Sequence, residues 1–262
     1  MAPLLVLLYH SVDDDPPPWI APYTVGRRAF ADQLDAVLAS GRTPVTADQA
    51  VAALTGGPPL PANAVAVTFD DGHRDFADNA WPELERHALP GTLFVTTGAL
   101  GPLNGSLLPE AAMLTLEQVA KLSEAGAGIG AHSHLHAQLD TLDSEAVVRE
   151  LSRPKEILEN ALGHEVDLFA YPHGYSSEAV RDLTRLLGYR GAFAVRNAFS
   201  PDDDDPFRIA RLMVRADTGQ STFDAWLRGA GAPVASPREQ ARTTAWRFYR
   251  RQRVRLRGVT GP

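Results

Sequence analysis

Seven short apolar runs, each of buried-strand length and separated from the next by a stretch long enough for a helix, constrain this chain more than any other feature. They are LLVLLY (4–9), AVAVTF (64–69), TLFVTT (92–97), GIGA (128–131), DLFAY (167–171), GAFAV (191–195) and RIARLMV (208–214). Strand-length runs alternating with amphipathic helical stretches are the pattern of β/α units around a mainly parallel sheet. The spacing predicts helices over 28–40, 47–54, 76–87, 116–125, 144–162 and 178–187. Thr115 with Gln118 three residues on has the form of a capping box, and Ser177 and Gly188 bracket the last of these helices. At 262 residues the chain has the length of a single α/β barrel, and 44% hydrophobic against 22% charged residues supports one sizeable core.

Four of the apolar runs lead directly into reactive side chains: LLVLLYHS, VAVTFDDG, GIGAHSHLH and LFAYPHG. In parallel β/α folds the carboxyl ends of the strands face one way, so groups remote in sequence meet at one mouth. That geometry gathers Tyr9, His10, Asp70, Asp71, His132, His136 and His173. His132 and His136 are four apart and on a helical turn would share a face, so both imidazoles could bind one metal ion, with Asp70 or Asp71 adding an oxygen. Two histidines and a carboxylate with open positions form a catalytic metal arrangement. Such an ion lowers the pKa of water, and the second carboxylate can take the proton, which implies metal-assisted hydrolysis. Taken singly, DDG reads as a turn and HSHLH as a solvated loop; both clusters following strand-like runs of one β/α chain favour the metal. The absence of cysteine leaves only His and carboxylate as metal ligands.

At these residues the sequence resembles the polysaccharide deacetylase family, the carbohydrate esterases that share a NodB homology domain. The matching text is VAVTFDDGHRDFADNAWPELERHALPGTLFV, IGAHSHLHAQL and LFAYPHG, with LLYHSV and FADQLDAVLASGRTPVTADQAV upstream resembling the exopolysaccharide-associated subfamily. The resemblance implies a distorted (β/α) barrel of about seven parallel strands and removal of N-acetyl groups from amino sugars. It makes Asp70 the catalytic base, and Asp71, His132 and His136 the ligands of a divalent metal, zinc first, with cobalt, nickel or manganese as alternatives. Ser133 takes a supporting place. LFAYPHG corresponds to the family's third motif, which places Tyr171 and Pro172 as substrate-binding or supporting residues and assigns an oxyanion-binding backbone N–H to His173. Two departures stand out. The motif's Arg aligns with Ala170, and Arg74 either replaces it as a partner for Asp70 or, the simpler reading, opens a helix on the surface; no His follows His173, which leaves His173, then His10, as general acid.

The catalytic domain is expected to span 1–230, followed over 231–262 by a basic helical tail. From Pro233 onward there are eight Arg and one Glu, in a chain of net charge −7 that is unsuited to general nucleic-acid binding. The tail interleaves Arg with Trp246, Phe248, Tyr249, Val254 and Leu256; the first expectation is that its aromatics pack on the domain with Arg outward, the others that it meets an anionic membrane or an acidic partner. The opening lacks the basic flank of a signal peptide, and no apolar run reaches membrane-span length, so a cytoplasmic place is expected. The substrate implied is an N-acetylated glycan or glycan precursor; removal of another acyl or a formyl group, or silent glycan binding, are the alternatives.

Overall fold

The computed structural model describes residues 3–101, 105–236 and 241–257. Its seven barrel strands are β1 (Leu5–Tyr9), β2 (Ala64–Phe69), β3 (Gly91–Val95), β4 (Gly128–Ala131), β5 (Leu168–Ala170), β6 (Gly191–Val195) and β7 (Ile209–Met213). Each pairs in parallel with the next in chain order, and β1 pairs with both β7 and β2, which closes the ring. All seven apolar runs are therefore strands of one closed parallel barrel, matching the NodB-like expectation. The two-residue strand Thr43–Pro44 hangs on the start of β2.

Alternation along the strands sorts side chains into two cores. Leu5, Leu7, Tyr9, Val65, Val67, Phe69, Leu93 and Val95 belong to one, which includes Phe30, Leu34, Leu151 and Val180 of the surrounding helices. Val6, Ala66, Phe94, Ala170, Phe193 and Ile209 belong to the second, which fills the barrel. That inner core also takes Ala47, Ala50 and Val51 from α2 (Ala47–Leu54), so α2 packs against the strands' N-terminal ends, where Val51 lies against Gly191 at the start of β6.

The other helices are α1 (Arg27–Ala39), α3 (Trp81–Arg86), α4 (Leu116–Glu124), α5 (Ser144–Leu162), α6 (Glu178–Leu186), α7 (Gln220–Leu227) and α8 (Ala241–Arg257). Thr115 and Gln118 form the capping box of α4, and Ser177 caps α6 by accepting from the Val180 N–H. The helix expected over 76–87 is two pieces. Phe76–Ala80 is a π-turn in which the Trp81 N–H reaches Phe76, and α3 starts only at Trp81, because Pro82 has no N–H to continue an α-helical ladder from Asp78. The sequence reading did not place α7, whose start at Gly219 has no side-chain cap. No described helix is long and apolar enough to cross a membrane.

Candidate metal centre and active site

The described strands end at the same face of the barrel, and five of the chain's eight histidines stand there: His10, His73, His132, His136 and His173. Asp70 and Asp71 leave β2 in a tight turn, with Asp71 at φ +75° and Gly72 at φ +94°. Ser133, His136 and His173 also lie in the left-handed region. Non-glycine residues held there cost about 1–3 kcal/mol each, and such strain collects where side chains must be aimed. The Gly72 carbonyl accepts from Leu114, and the Asp71 carbonyl from Thr96, which locks the turn against β3.

Asp71 Oδ1 lies 3.5 Å from His132 Nε2 and 3.3 Å from His136 Nε2. One ligand atom from each of Asp71, His132 and His136 lies within 4.8 Å of the others, and all three residues are buried. His132 Nδ1 lies 2.8 Å from the Ala170 carbonyl; an N–H there fixes the tautomer that leaves Nε2 a lone pair facing Asp71. Burial holds the His132 pKa down to about 4, the neutral form a metal requires. Burial alone would raise the Asp71 pKa, but His136, His73 and His10 pull it well below the carboxylate range. Asp71 Oδ1 and His136 Nδ1 are buried without hydrogen-bond partners among the described residues. An oxygen and two imidazoles, with a buried ligand atom unsatisfied, fit a divalent cation.

Asp70 is not a member of this triad. Its two oxygens each accept from Arg211, Oδ1 from Nη1 and Oδ2 from Nη2, both at 2.7 Å. Burial opposes its ionised form, yet the bidentate guanidinium outweighs that and lowers its pKa. Arg211 is 0% exposed, in the middle of β7, with its guanidinium beside Phe94 and Phe193 inside the barrel. Arg74 is not that partner: it takes the surface reading, with its side chain 57% exposed and paired with Asp78 at 3.4 Å. The α3-side surface carries Arg74 away from the mouth, while β7 runs beside β1 and reaches the barrel axis.

Tyr171 is fully buried, with its ring edge-on to Phe169 and its hydroxyl 3.5 Å from Thr184 of α6, so it supports the third-motif loop and forms no wall of the mouth. Pro172 opens a short 3-10 turn, Pro172–Gly174, which turns His173 to φ +57° and sets its ring 4.7 Å from that of His136. Burial, reinforced by His136, pushes the His173 pKa down to about 3. His10 has its ring 5.5 Å from Tyr23 and its pKa lowered by burial. Gly174 is at φ +73°, where an added Cβ would collide with the Val195 backbone. Gly174→Ala is expected to cost about 1–3 kcal/mol in urea denaturation, since both the conformation and the space exclude a side chain.

Besides Arg211, three residues were not singled out for the site from sequence. His73 lies 3.5 Å from Asp71 Oδ2, and despite the penalty of burial its pKa is raised by that carboxylate. Glu150 of α5 accepts from the His134 and Leu135 N–H groups, and Ser133 Oγ accepts from the His136 N–H, so two acceptors hold the histidine loop in shape. Asp140, buried in the turn Leu139–Thr141 just after that loop, pairs with Arg250 and, at 3.3 Å, with Arg247 of α8. Arg251 donates to the Asp140 carbonyl and Arg247 to the Ser176 carbonyl, and Arg250 lies over the Tyr175 ring at 3.6 Å. The tail thus faces the opposite way from the first expectation: Arg247 and Arg250 point inward, while Trp246, Phe248 and Tyr249 are 50%, 66% and 53% exposed. One buried carboxylate, Asp140, gives these arginines an inward partner, and a buried acid without one is costly. The side chains of Val254 and Leu256 lie outside the described residues.

The buried neutral imidazoles predict the acid response of the metal-free protein. His132 and His173 have folded pKa values of about 4 and about 3, below the ordinary 6.5. Below about 6.5 the unfolded chain therefore takes up protons that the folded chain does not. Their stabilisation is complete above that pH and is lost progressively as pH falls through 4. Melting temperatures of metal-free protein should drop steadily from pH 7 to pH 4; a flat profile would contradict the buried neutral assignment.

A family model for polysaccharide deacetylases matches residues 57–192, which is more than half of the chain. The chain belongs to the polysaccharide deacetylase family. The Bacillus subtilis (strain 168) protein YxkH is 23% identical over 226 residues, covering 86% of this chain and 76% of that one. The poly-β-1,6-N-acetyl-D-glucosamine N-deacetylase of Staphylococcus epidermidis is 26% identical over 176 residues, covering 64% of this deacetylase-family chain and 60% of its own length. The chain therefore spans less than two thirds of that relative. Among solved structures, IcaB from Ammonifex degensii is similar with a TM-score of 0.72 and 26% identity, over 88% of this chain and 98% of that one.

Proposed function

We propose that this family member removes N-acetyl groups from amino sugars of a polysaccharide or a glycan precursor, with Asp71, His132 and His136 holding a divalent metal, zinc first, and Asp70 as the base. The observation that carries the reading is the division of labour between the two aspartates: Asp71 faces two buried imidazoles, while Asp70 is gripped by Arg211 beside them. A divalent cation there would polarise an acetamide carbonyl and make water acidic enough to be deprotonated near neutral pH. Asp70 Oδ2 lies 3.7 Å from His132 Nε2, so it borders the same space and can take the water's proton. The His173 backbone N–H, on its strained turn, is the proposed donor to the carbonyl oxygen as charge develops there.

The leaving amine needs a proton, and the pKa of His173, pushed down to about 3, makes its side chain a poor source at neutral pH. Asp70 then serves twice: it takes the proton from water during attack and returns it to the amine nitrogen as the C–N bond breaks. On this reading His173→Asn, with its backbone N–H intact, lowers kcat less than tenfold. Acetate release should be measured on poly-β-1,6-N-acetylglucosamine and on N-formyl and longer N-acyl glucosamine oligomers. Acetate as the preferred product supports the reading; turnover confined to another acyl group, or none with metal bound, overturns it.

A further inference from the structure

Beside the mouth, and outside the triad, lies a cavity of about 660 Å³, within the range of sites that enclose small ligands. One wall is Gly174–Ser176, the loop that follows His173; a second is 194–198, the end of β6 and its loop; the third is α8, through Thr243, Trp246 and Arg250. The cavity is joined to the candidate metal centre by a run of rings. His136 meets His173 at 4.7 Å, His173 stacks on Tyr175 at 5.7 Å, and Tyr175 lies under the Arg250 guanidinium.

Two independent features mark this cavity as a ligand site. Trp246 lines it and is half exposed although Arg247 and Arg250 of the same helix turn inward, so an indole is kept at the rim of the cavity. A flat ring beside polar groups suits a pyranose, which has an apolar face and a hydroxyl edge. Arg250 is 6% exposed, and its Nε and Nη1 have no hydrogen-bond partner among the described residues. Nη2 alone is used, on Asp140. A buried guanidinium with two idle donors is costly, and an acceptor on a bound molecule would relieve it.

We propose that α8 builds a sugar-binding subsite, in which the residue next to the one being deacetylated packs on the Trp246 indole and offers a hydroxyl or acetamido oxygen to Arg250. The inference rests on the glycan reading above, but its consequence is distinct: the chain discriminates by oligomer length, and the discrimination resides in the C-terminal helix. A single N-acetylglucosamine unit reaches the metal centre without touching α8, whereas a longer oligomer fills both places.

The test uses the full chain and β-1,6-linked N-acetylglucosamine oligomers of one and five units, with affinity measured by calorimetry and turnover by acetate release. Native protein should bind the pentamer at least tenfold more tightly than the monomer. Trp246→Ala, at a half-exposed position compatible with folding, should raise the pentamer KM about tenfold while leaving kcat, and binding of the monomer, within twofold. Arg250→Gln should act in the same direction, with thermal melting and circular dichroism checking that α8 is still docked. Calorimetry keeps the outcomes separate: pentamer binding that depends on Trp246 without any acetate release would retain the subsite and defeat the proposed reaction. Equal binding of monomer and pentamer by native protein, or a pentamer affinity unchanged in Trp246→Ala, overturns the subsite.

Discussion

Asp70→Asn should lower kcat by about two to four orders of magnitude, the range lost with a positioned general base, while metal content stays near that of the native chain. The separation follows from geometry: Asp71, not Asp70, shares the ligand cluster with His132 and His136. The same substitution should also be felt in stability. An amide accepts from only one arm of the Arg211 fork and turns an N–H₂ towards the other, leaving a guanidinium at 0% exposure without a counter-charge. Removing one partner of such a buried pair costs about 3–5 kcal/mol, read as a shift in the urea midpoint. A variant as active as the native chain would remove Asp70 from the mechanism.

Arg211→Met has the second large effect and approaches the pair from the other side. Methionine fills much of the volume beside Phe94 and Phe193 but leaves Asp70 buried with no cation gripping it. Burial is the largest influence on Asp70, and Arg211 is the first of the groups that counter it, ahead of His132 and His10. Without the arginine, the Asp70 pKa rises above its ordinary value, so the basic form is available only at higher pH. The acid limb of the kcat/KM profile should move up by at least one pH unit, with a loss of about 3–5 kcal/mol at neutral pH. A double variant, Asp70→Leu with Arg211→Met, should regain most of that stability, because an apolar pair of similar volume carries no desolvation penalty. It should have no activity. If the double variant were as unstable as the sum of the two singles, the ion pair would not be the source of either loss.

These two residues also show what a sequence can and cannot disclose. The strands were legible because burial on both faces leaves little but apolar residues, and LLVLLY or GAFAV has no other ready reading in a chain of this length. The placement of Asp70, Asp71, His132 and His136 followed from strand ends sharing one face. Arg211 was hidden in plain view: it interrupts RIARLMV, and a charge in the middle of a barrel strand demands a buried acid as partner. The cue was present, but which acid it meets depends on β7 closing against β1, a contact about 200 residues apart along the chain that no local pattern encodes. The same limit explains Arg74. Only four residues on from Asp70, it is carried outward by the turn that the strained Asp71 and Gly72 require. The tail was misread for a related reason. Its composition suggests rings inward and charge outward, and only the position of one buried carboxylate, Asp140, reverses that order.

Metal stoichiometry measured together with acetate release tests the central claim most directly. The protein should be stripped with a chelator, analysed for zinc, cobalt, nickel and manganese, and assayed on N-acetylglucosamine oligomers before and after stoichiometric metal is restored, with His132→Ala treated in parallel. The account predicts about one ion per native chain, acetate release that disappears on stripping and returns with metal, and neither binding nor activity in His132→Ala, since loss of one ligand of three removes most of the affinity. Acetate release that continues unchanged in the stripped chain, or in His132→Ala, would contradict it.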